Sequence, residues 1–136
     1  MLILGACQAQ TQTLKVGTDP SSPPFTYLEN GEVVGFDIDL FAAVAKTGGY
    51  QYEWVQASWT DLFAEVLNGT VDLAVSGVTI NDARKEIYDF SVPYFISTHV
   101  ILAPEGTDIT NAQDLLTKTV AVRNGTTGQV AVGTVF

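Results

Sequence analysis

Thr79 and Arg84, five residues apart and just beyond Ser76-Gly77, are the residues in this sequence best suited to chemistry. An arginine in the first turn of a helix runs against the usual preference, because a helix N-terminus already favours negative charge. An anion close by would account for it. The guanidinium is a planar fork that matches the two oxygens of a carboxylate, while a threonine hydroxyl and loop carbonyls can accept from an ammonium. With the open backbone at Gly77, these groups make a receptor for a carboxylate beside an ammonium group. On spacing alone, Arg84 can equally pair with Glu86 or Asp89 on a solvated face. The elements that must position these groups are legible around them. Val71, Leu73 and Val75 alternate with Asp72 and Ala74 and then stop, as a short, largely buried strand running into a loop does. Asn81 suits the N-cap of a helix opening at Asp82.

Other chemistries find little support. The single cysteine excludes a disulfide within the chain and any multi-cysteine metal site. His99, the only histidine, has no plausible nucleophile or metal-ligand partner. Asp37 and Asp39 stand two apart on a helical pattern and so point in different directions, which favours a structural role. The net charge of −9 argues against nucleic acid and against an anionic membrane surface as partners. No catalytic constellation, metal site or cofactor is expected. At 136 residues the chain is long enough to bury the core of one ordinary domain.

Four stretches carry a resemblance. DLAVSGVTINDARKEIYDFSVPY, GTDPSSPPF (Gly17 to Phe25), GFDIDLFAAVAKTGG (Gly35 to Gly49) and KTVAVRNGTTG (Lys118 to Gly128) closely resemble, in the same order, stretches of the periplasmic amino-acid-binding proteins of ATP-binding-cassette importers, solute-binding family 3. The resemblance covers nearly all of the chain after the first dozen residues. It implies an α/β fold, a type II periplasmic-binding-protein lobe with a mostly parallel sheet and helices on both faces, plus a fragment of a second lobe. It implies an α-amino-acid site at Ser76, Gly77, Thr79 and Arg84. Asp19 would meet the ligand's side chain, which favours a polar or basic amino acid, and Phe25 and Trp59 would wall the pocket. Many relatives have a ring where Ser22 stands, so one side of the aromatic sandwich departs from the pattern. Thr126 and Thr127 would hold the far side of the carboxylate, with Arg123 bordering. Without the resemblance, Asp19 reads as a turn residue before proline and Trp59 as a core tryptophan.

The elements follow in order. Thr13 to Thr18 alternates as a first strand, ending in a loop where Pro20, Pro23 and Pro24 forbid regular structure. A loop at the carboxyl end of a strand is where α/β sheets place ligands. Glu29 to Glu32 reads as a hairpin turn between Thr26–Leu28 and Val33–Val34. Phe36, Leu40 and Val44, with Phe41 alongside, suit a helix packed on a sheet, ended by Gly48-Gly49. Tyr50 to Val55 is strand-like. Ser58 and Asp61 have capping-box spacing before a helix ended by Gly69. Strand and helix thus alternate, which implies a parallel sheet covered on both faces. Further on, Phe95 to Ile109 reads as an extended run with a turn at Pro104-Glu105-Gly106. Asn111 to Leu116 suggests a short helix, and Thr119 to Arg123 a buried strand. The Gly125-Thr126-Thr127-Gly128 loop then presents backbone N–H groups to an anion, ahead of a helix poor in helix formers.

The first residues, MLILGACQAQTQT, resemble a bacterial lipobox at Cys7, with an apolar run too short to span a bilayer. The expected organisation is a lipoprotein signal remnant and linker over 1–12, a first lobe over 13–102 and an incomplete second lobe over 103–136. On the resemblance the chain stops early in that second lobe. Val120, Val122, Val130 and Val132 would then be bare, which favours self-association. The implied function is capture of a free amino acid for ABC permease subunits, in the periplasm or on the outer face of the cell membrane, lipid-anchored through Cys7. Two other classes share the fold: cyclohexadienyl dehydratase-like periplasmic enzymes, and ligand-sensing domains of receptors. Ultraviolet assay with prephenate or arogenate discriminates the first. The second would call for a transmembrane or signalling segment.

Overall fold

A computed structural model describes residues 12–136 of the chain. Cys7 and the apolar run before it lie outside the described residues. The chain forms two compact units, divided between Val78 and Thr79.

The first unit is built on a parallel sheet of β1 (Leu14–Thr18), β5 (Tyr52–Gln56) and β6 (Leu73–Ala74), in the order β5-β1-β6. Register assigns its two faces. Val16 lies level with Trp54 and Leu73, and Gly17 with Val55 and Ala74. Side chains alternate along a strand, so Tyr52, Trp54 and Val16 share one face and Gly17 belongs to the other. Helix α1 (Phe36–Gly48) covers the first, with the Phe41 ring edge-on to Tyr52 at 5.1 Å and to Trp54 at 5.6 Å. Helix α2 (Trp59–Asn68) covers the second through Leu62. There the fit is tight: a Cβ on Gly17 would lie 2.6 Å from Leu62 Cδ1 and 3.2 Å from Val71 Cγ2. Val16, Leu62 and Val71 are all but fully buried, each worth roughly 1.5–3 kcal/mol against leaving it in water. The expected parallel sheet with a helix on each face is therefore present.

A second, antiparallel sheet joins β2 (Ser21–Ser22), β3 (Thr26–Glu29) and β4 (Glu32–Val34). Asn30 and Gly31, with φ of 53° and 87°, make the β3–β4 turn that a two-residue hairpin requires. Strand β2 corrects the expectation that the prolines exclude regular structure. Its two serines pair with Tyr27 and Thr26, and the missing N–H groups of Pro20, Pro23 and Pro24 all fall outside that ladder.

Helix α1 also departs from its expected face. Ile38 and Ala45 are buried, whereas Phe36 and Val44 are 43% and 52% exposed. Backbone bonds from Phe36 N to Pro24 O (3.0 Å) and from Asp37 N to Phe25 O (3.1 Å) fix the rotation of the first turn. The packed stripe is consequently Ile38, Phe41 and Ala45, and Phe36 turns aside to meet the Phe25 ring at 5.9 Å. The ends are as read: Gly49 and Gly69 close α1 and α2 in the left-handed conformation, and the Ser58 side chain caps α2 through Asp61 N. Strand β6 is shorter than the alternation suggests, although Asp72 N to Lys15 O and Val75 N to Gly17 O, both 2.9 Å, continue its bonding to β1.

The second unit contains α3 (Asp82–Lys85), a 3-10 helix over Ala112–Thr117 and α4 (Thr127–Gly133). All three start on a side-chain cap, from Asn81, Asn111 and Thr126 respectively. The turn at Pro104 closes with Thr107 N to Pro104 O at 3.3 Å. The buried strand expected over Thr119 to Arg123 does not form, and Val122 is 43% exposed. Strand geometry needs a hydrogen-bonded neighbour, and every described strand lies in the first unit. The extended run from Phe95 likewise joins no ladder, leaving Ile96 and Leu102 at 90% and 97% exposure.

Two tests follow from this packing. Gly17→Ala places a methyl against Leu62 and Val71 and should destabilise the first unit by about 1–3 kcal/mol in chemical denaturation. Combined with Leu62→Ala, the two effects should be strongly non-additive, because the smaller residue vacates the space; additive losses would refute the contact. In the second unit, backbone N–H bonds from Thr110 and Asn111, with the Thr110 hydroxyl, hold the Asp114 carboxyl below its ordinary value of 3.8. A depressed carboxylate pKa stabilises the folded form above the unfolded value and loses that contribution as pH falls through the folded one. Carbon-13 titration of Asp114 should show a midpoint under 3.8, with the cap bonds lost below it.

Candidate functional site

The carboxyl ends of the parallel strands gather the candidates of the first unit. Asp19 follows β1 directly, Ser76 and Gly77 follow β6, and Trp59 opens α2 after β5. Asp19 and Ser76 are joined: the Ser76 hydroxyl accepts from Asp19 N at 3.1 Å and donates to Asp19 O at 3.3 Å. Thr26 Oγ1 donates to the same carbonyl at 2.7 Å. All three residues are buried, so the loop after β1 is tied at once to the loop after β6 and to the hairpin. Gly77 adopts φ of +59°, which favours glycine, and a Cβ there would lie 3.8 Å from Asp37 Oδ2. Asp37 itself is fully buried, in keeping with a structural role.

The two aromatic candidates are half-buried and each has a ring partner. Phe25 meets Phe36 at 5.9 Å, and Trp59 meets Phe63 at 5.1 Å, both edge-on. Such pairs fix ring orientation and add about 0.5–1.5 kcal/mol beyond buried area. The Phe25 backbone is held as well, by Ser22 O at its N–H and by Asp37 N at its carbonyl. At Gly35, with φ of +129°, any Cβ would overlap that carbonyl. The loop carrying Phe25 is therefore anchored from both sides.

In the second unit, Arg84 reaches across 41 residues. Its Nη1 donates to Thr79 O at 2.8 Å and its Nη2 to Gly125 O at 3.2 Å. Asn81 Oδ1 accepts from Arg84 N at 2.9 Å, which fixes the turn from which the side chain springs. Partial burial pulls the guanidinium pKa below its ordinary value, while Tyr88 acts in the opposite sense. The Thr79 and Thr127 hydroxyls approach to 3.5 Å. Thr126 Oγ1 donates to Arg123 O at 2.7 Å and accepts from Gln129 N at 3.3 Å, so it serves as the cap of α4. Thus Thr79, Arg84 and Thr127 form one group and Thr126 and Arg123 another, and the two are linked through Gly125 and Gln129. The Arg123 side chain is exposed.

One participant escaped the sequence reading. Gln129 Oε1 accepts from Gly125 N at 2.8 Å, so this loop N–H is satisfied internally. The signal was available, since Thr126 and Gln129 have the Ser/Thr-x-x-Glu/Gln spacing of a capping box. The amide reaches one residue further back than that motif prescribes.

The model of the bacterial extracellular solute-binding proteins, family 3, matches residues 14–130. The chain belongs to this family. It is 41% identical over 120 residues to a probable histidine-binding protein of Neisseria gonorrhoeae, covering 87% of this chain and 45% of that protein. The fold superposes on the arginine-, lysine-, histidine-binding protein ArtJ of Geobacillus stearothermophilus with a TM-score of 0.89 and 47% identity, over 92% of this chain and 54% of that one. It also matches a mutant of domain 1 of TmArgBP in its arginine-bound form, with a TM-score of 0.58 and 39% identity, over 61% of this chain and 65% of that one. The chain spans about half the length of the curated relatives it matches. Its architecture is that of type II periplasmic binding proteins, α/β with a parallel sheet.

The family's strand-end loops depend here on the Asp19–Ser76 bonds. Ser76→Ala removes both bonds from a buried place, which should cost about 1–3 kcal/mol of stability. Ser76→Thr keeps the hydroxyl and should lose less. Equal stability of Ser76→Ala and the parent chain in denaturant titration would refute the tie.

Proposed function

We propose that this chain binds the α-carboxylate of a free amino acid through Arg84, with Thr79 and Thr127 as hydroxyl partners. The observation that carries the reading is the double anchoring of the guanidinium on the Thr79 and Gly125 carbonyls. Two carbonyl bonds orient the fork and, with partial burial, keep the cation in a less hydrated setting, where a charge-assisted bond to a carboxylate is stronger than in water. Family membership supports an amino-acid-sized solute, and the relatives named above are a probable histidine-binding protein and an arginine-, lysine-, histidine-binding protein. A polar or basic amino acid is therefore the favoured ligand. Asp19, Phe25, Trp59, Ser76 and Gly77 are the proposed ligand contacts of the first unit, and Arg123 and Thr126 the proposed supports of the carboxylate loop in the second. The proposed setting is extracytoplasmic, delivering solute to an ABC permease. The arginine-bound domain 1 of TmArgBP supports testing binding on the chain as it stands.

Calorimetry with L-arginine, L-lysine and L-histidine tests the site. Arg84→Ala should abolish binding. Arg84→Lys, which keeps the charge and loses the fork, should weaken it at least about tenfold, the equivalent of one charged hydrogen bond. L-Argininamide, which lacks the carboxylate, should bind poorly to the parent chain. Unchanged affinity in Arg84→Ala would overturn the assignment.

A further inference from the structure

From Phe90 to Pro104 the chain carries no aspartate, glutamate, lysine or arginine, although its net charge is −9. The ten residues between Pro93 and Pro104 include no glycine, and β-branched and aromatic types prevail among them. Such a composition favours a strand. Yet the run joins no ladder, and among the described residues Ile96 to Leu102 make no hydrogen bond. Ile96, Thr98, Val100 and Leu102 would alternate onto one side of a strand. All four are exposed, the three aliphatic ones at 84% to 97%. An unpaired backbone with this pattern is a template for another strand. The order of its residues selects the partner. In a two-fold pair of antiparallel strands one residue must stand opposite its own copy, since both partners present the same surface. With Thr98 at that position, Ile96 stands opposite Val100, Phe95 opposite Ile101 and Ser97 opposite His99. Apolar then meets apolar and polar meets polar. Moving the centre to Ser97 or His99 sets Phe95 against His99, or Ser97 against Ile101.

We propose that the run from Phe95 to Leu102 is a self-association surface, on which a second copy of this chain pairs antiparallel about Thr98. It is a different segment from Val120 to Val132, and it does not depend on the amino-acid reading of Arg84. The absence of charge along the run spares two acidic copies the like-charge repulsion that a charged strand would impose. Val92, Ile96, Val100, Ile101 and Leu102 are all exposed. Together they offer on the order of 700 Å² per copy, close to the ~800 Å² per partner of a standard interface. Strand pairing covers only part of that area, so the dimer should have an affinity in the micromolar range.

Sedimentation equilibrium of the 136-residue chain should show a reversible monomer–dimer equilibrium. Thr98→Lys alone, or Thr98→Glu alone, sets two like charges opposite each other and should raise the dissociation constant at least about fivefold. Mixing the two variants should restore a dimer with one copy of each. Thr98 is exposed, so both variants should keep the circular dichroism of the parent. The strand direction is read with single thiols in a Cys7→Ser background under mild oxidation. Thr98→Cys should give a disulfide-linked dimer. Ile96→Cys should not, because antiparallel pairing about Thr98 sets the two copies of residue 96 roughly 13 Å apart along the strand, beyond disulfide reach. Ile96→Cys mixed with Val100→Cys should crosslink. A monomer throughout the micromolar range would overturn the proposal and leave the run to a different partner. So would a dimer that neither charged variant weakens. Ile96→Cys crosslinking as readily as Thr98→Cys would overturn it too, as the signature of parallel, open-ended stacking.

Discussion

The placement of Arg84 is the interaction on which the candidate chemistry depends. A long, flexible cation is useful for recognition only when its fork is aimed before the ligand arrives, because ordering it on binding would consume part of the affinity. Here the aiming is done by backbone carbonyls, from Thr79 and Gly125. A carbonyl anchors a guanidinium without neutralising it, which a carboxylate partner would do. The short helix α3 exists to start this geometry: one turn, capped by Asn81, sets the point from which the side chain leaves.

The first unit solves a different problem, that of holding irregular loops still at the ends of parallel strands. The tie between Asp19 and Ser76 uses one hydroxyl as both donor and acceptor and bonds both the N–H and the carbonyl of Asp19 in a buried place. The loops can be exact because the sheet beneath them is close-packed. Gly17 lets Leu62 and Val71 approach the central strand more closely than any other residue would. Loop geometry at the strand ends is thereby inherited from core packing, as in other open α/β sheets with strand-end sites.

The helix caps at Ser58 and Asn81 were legible residue by residue: each bonds the N–H group that its spacing implies. These are local signals, complete within a few residues, and so they survive reading from a sequence. The hairpin turn at Asn30-Gly31 and the glycine stops of α1 and α2 belong to the same class. Misreadings arose where the outcome depended on distant partners. The face of α1 was set by bonds from Phe36 and Asp37 to the Pro24 and Phe25 carbonyls, which periodicity does not encode. The run from Thr119 to Arg123 has the composition of a strand and remains irregular, because a strand is completed by its neighbour.

The sequence by itself determined the family, through four motifs in order, and with it the alternation of strand and helix and the identity of the candidate residues. It also placed Arg84 in the first turn of a short helix and Thr79 on the stretch before it, whereas Thr127 and Gly128, read as loop, open α4, and the strand expected ahead of them is absent. Only the tertiary structure decided that Arg84 is held by a loop 41 residues away, that Asp19 and Ser76 are bonded to each other, and that Gln129 grips Gly125. The physical reason is one of range. Propensities, caps and turns are properties of adjacent residues, whereas the direction of a guanidinium or a peptide carbonyl is set by whichever donor or acceptor the folded chain brings within about 3 Å.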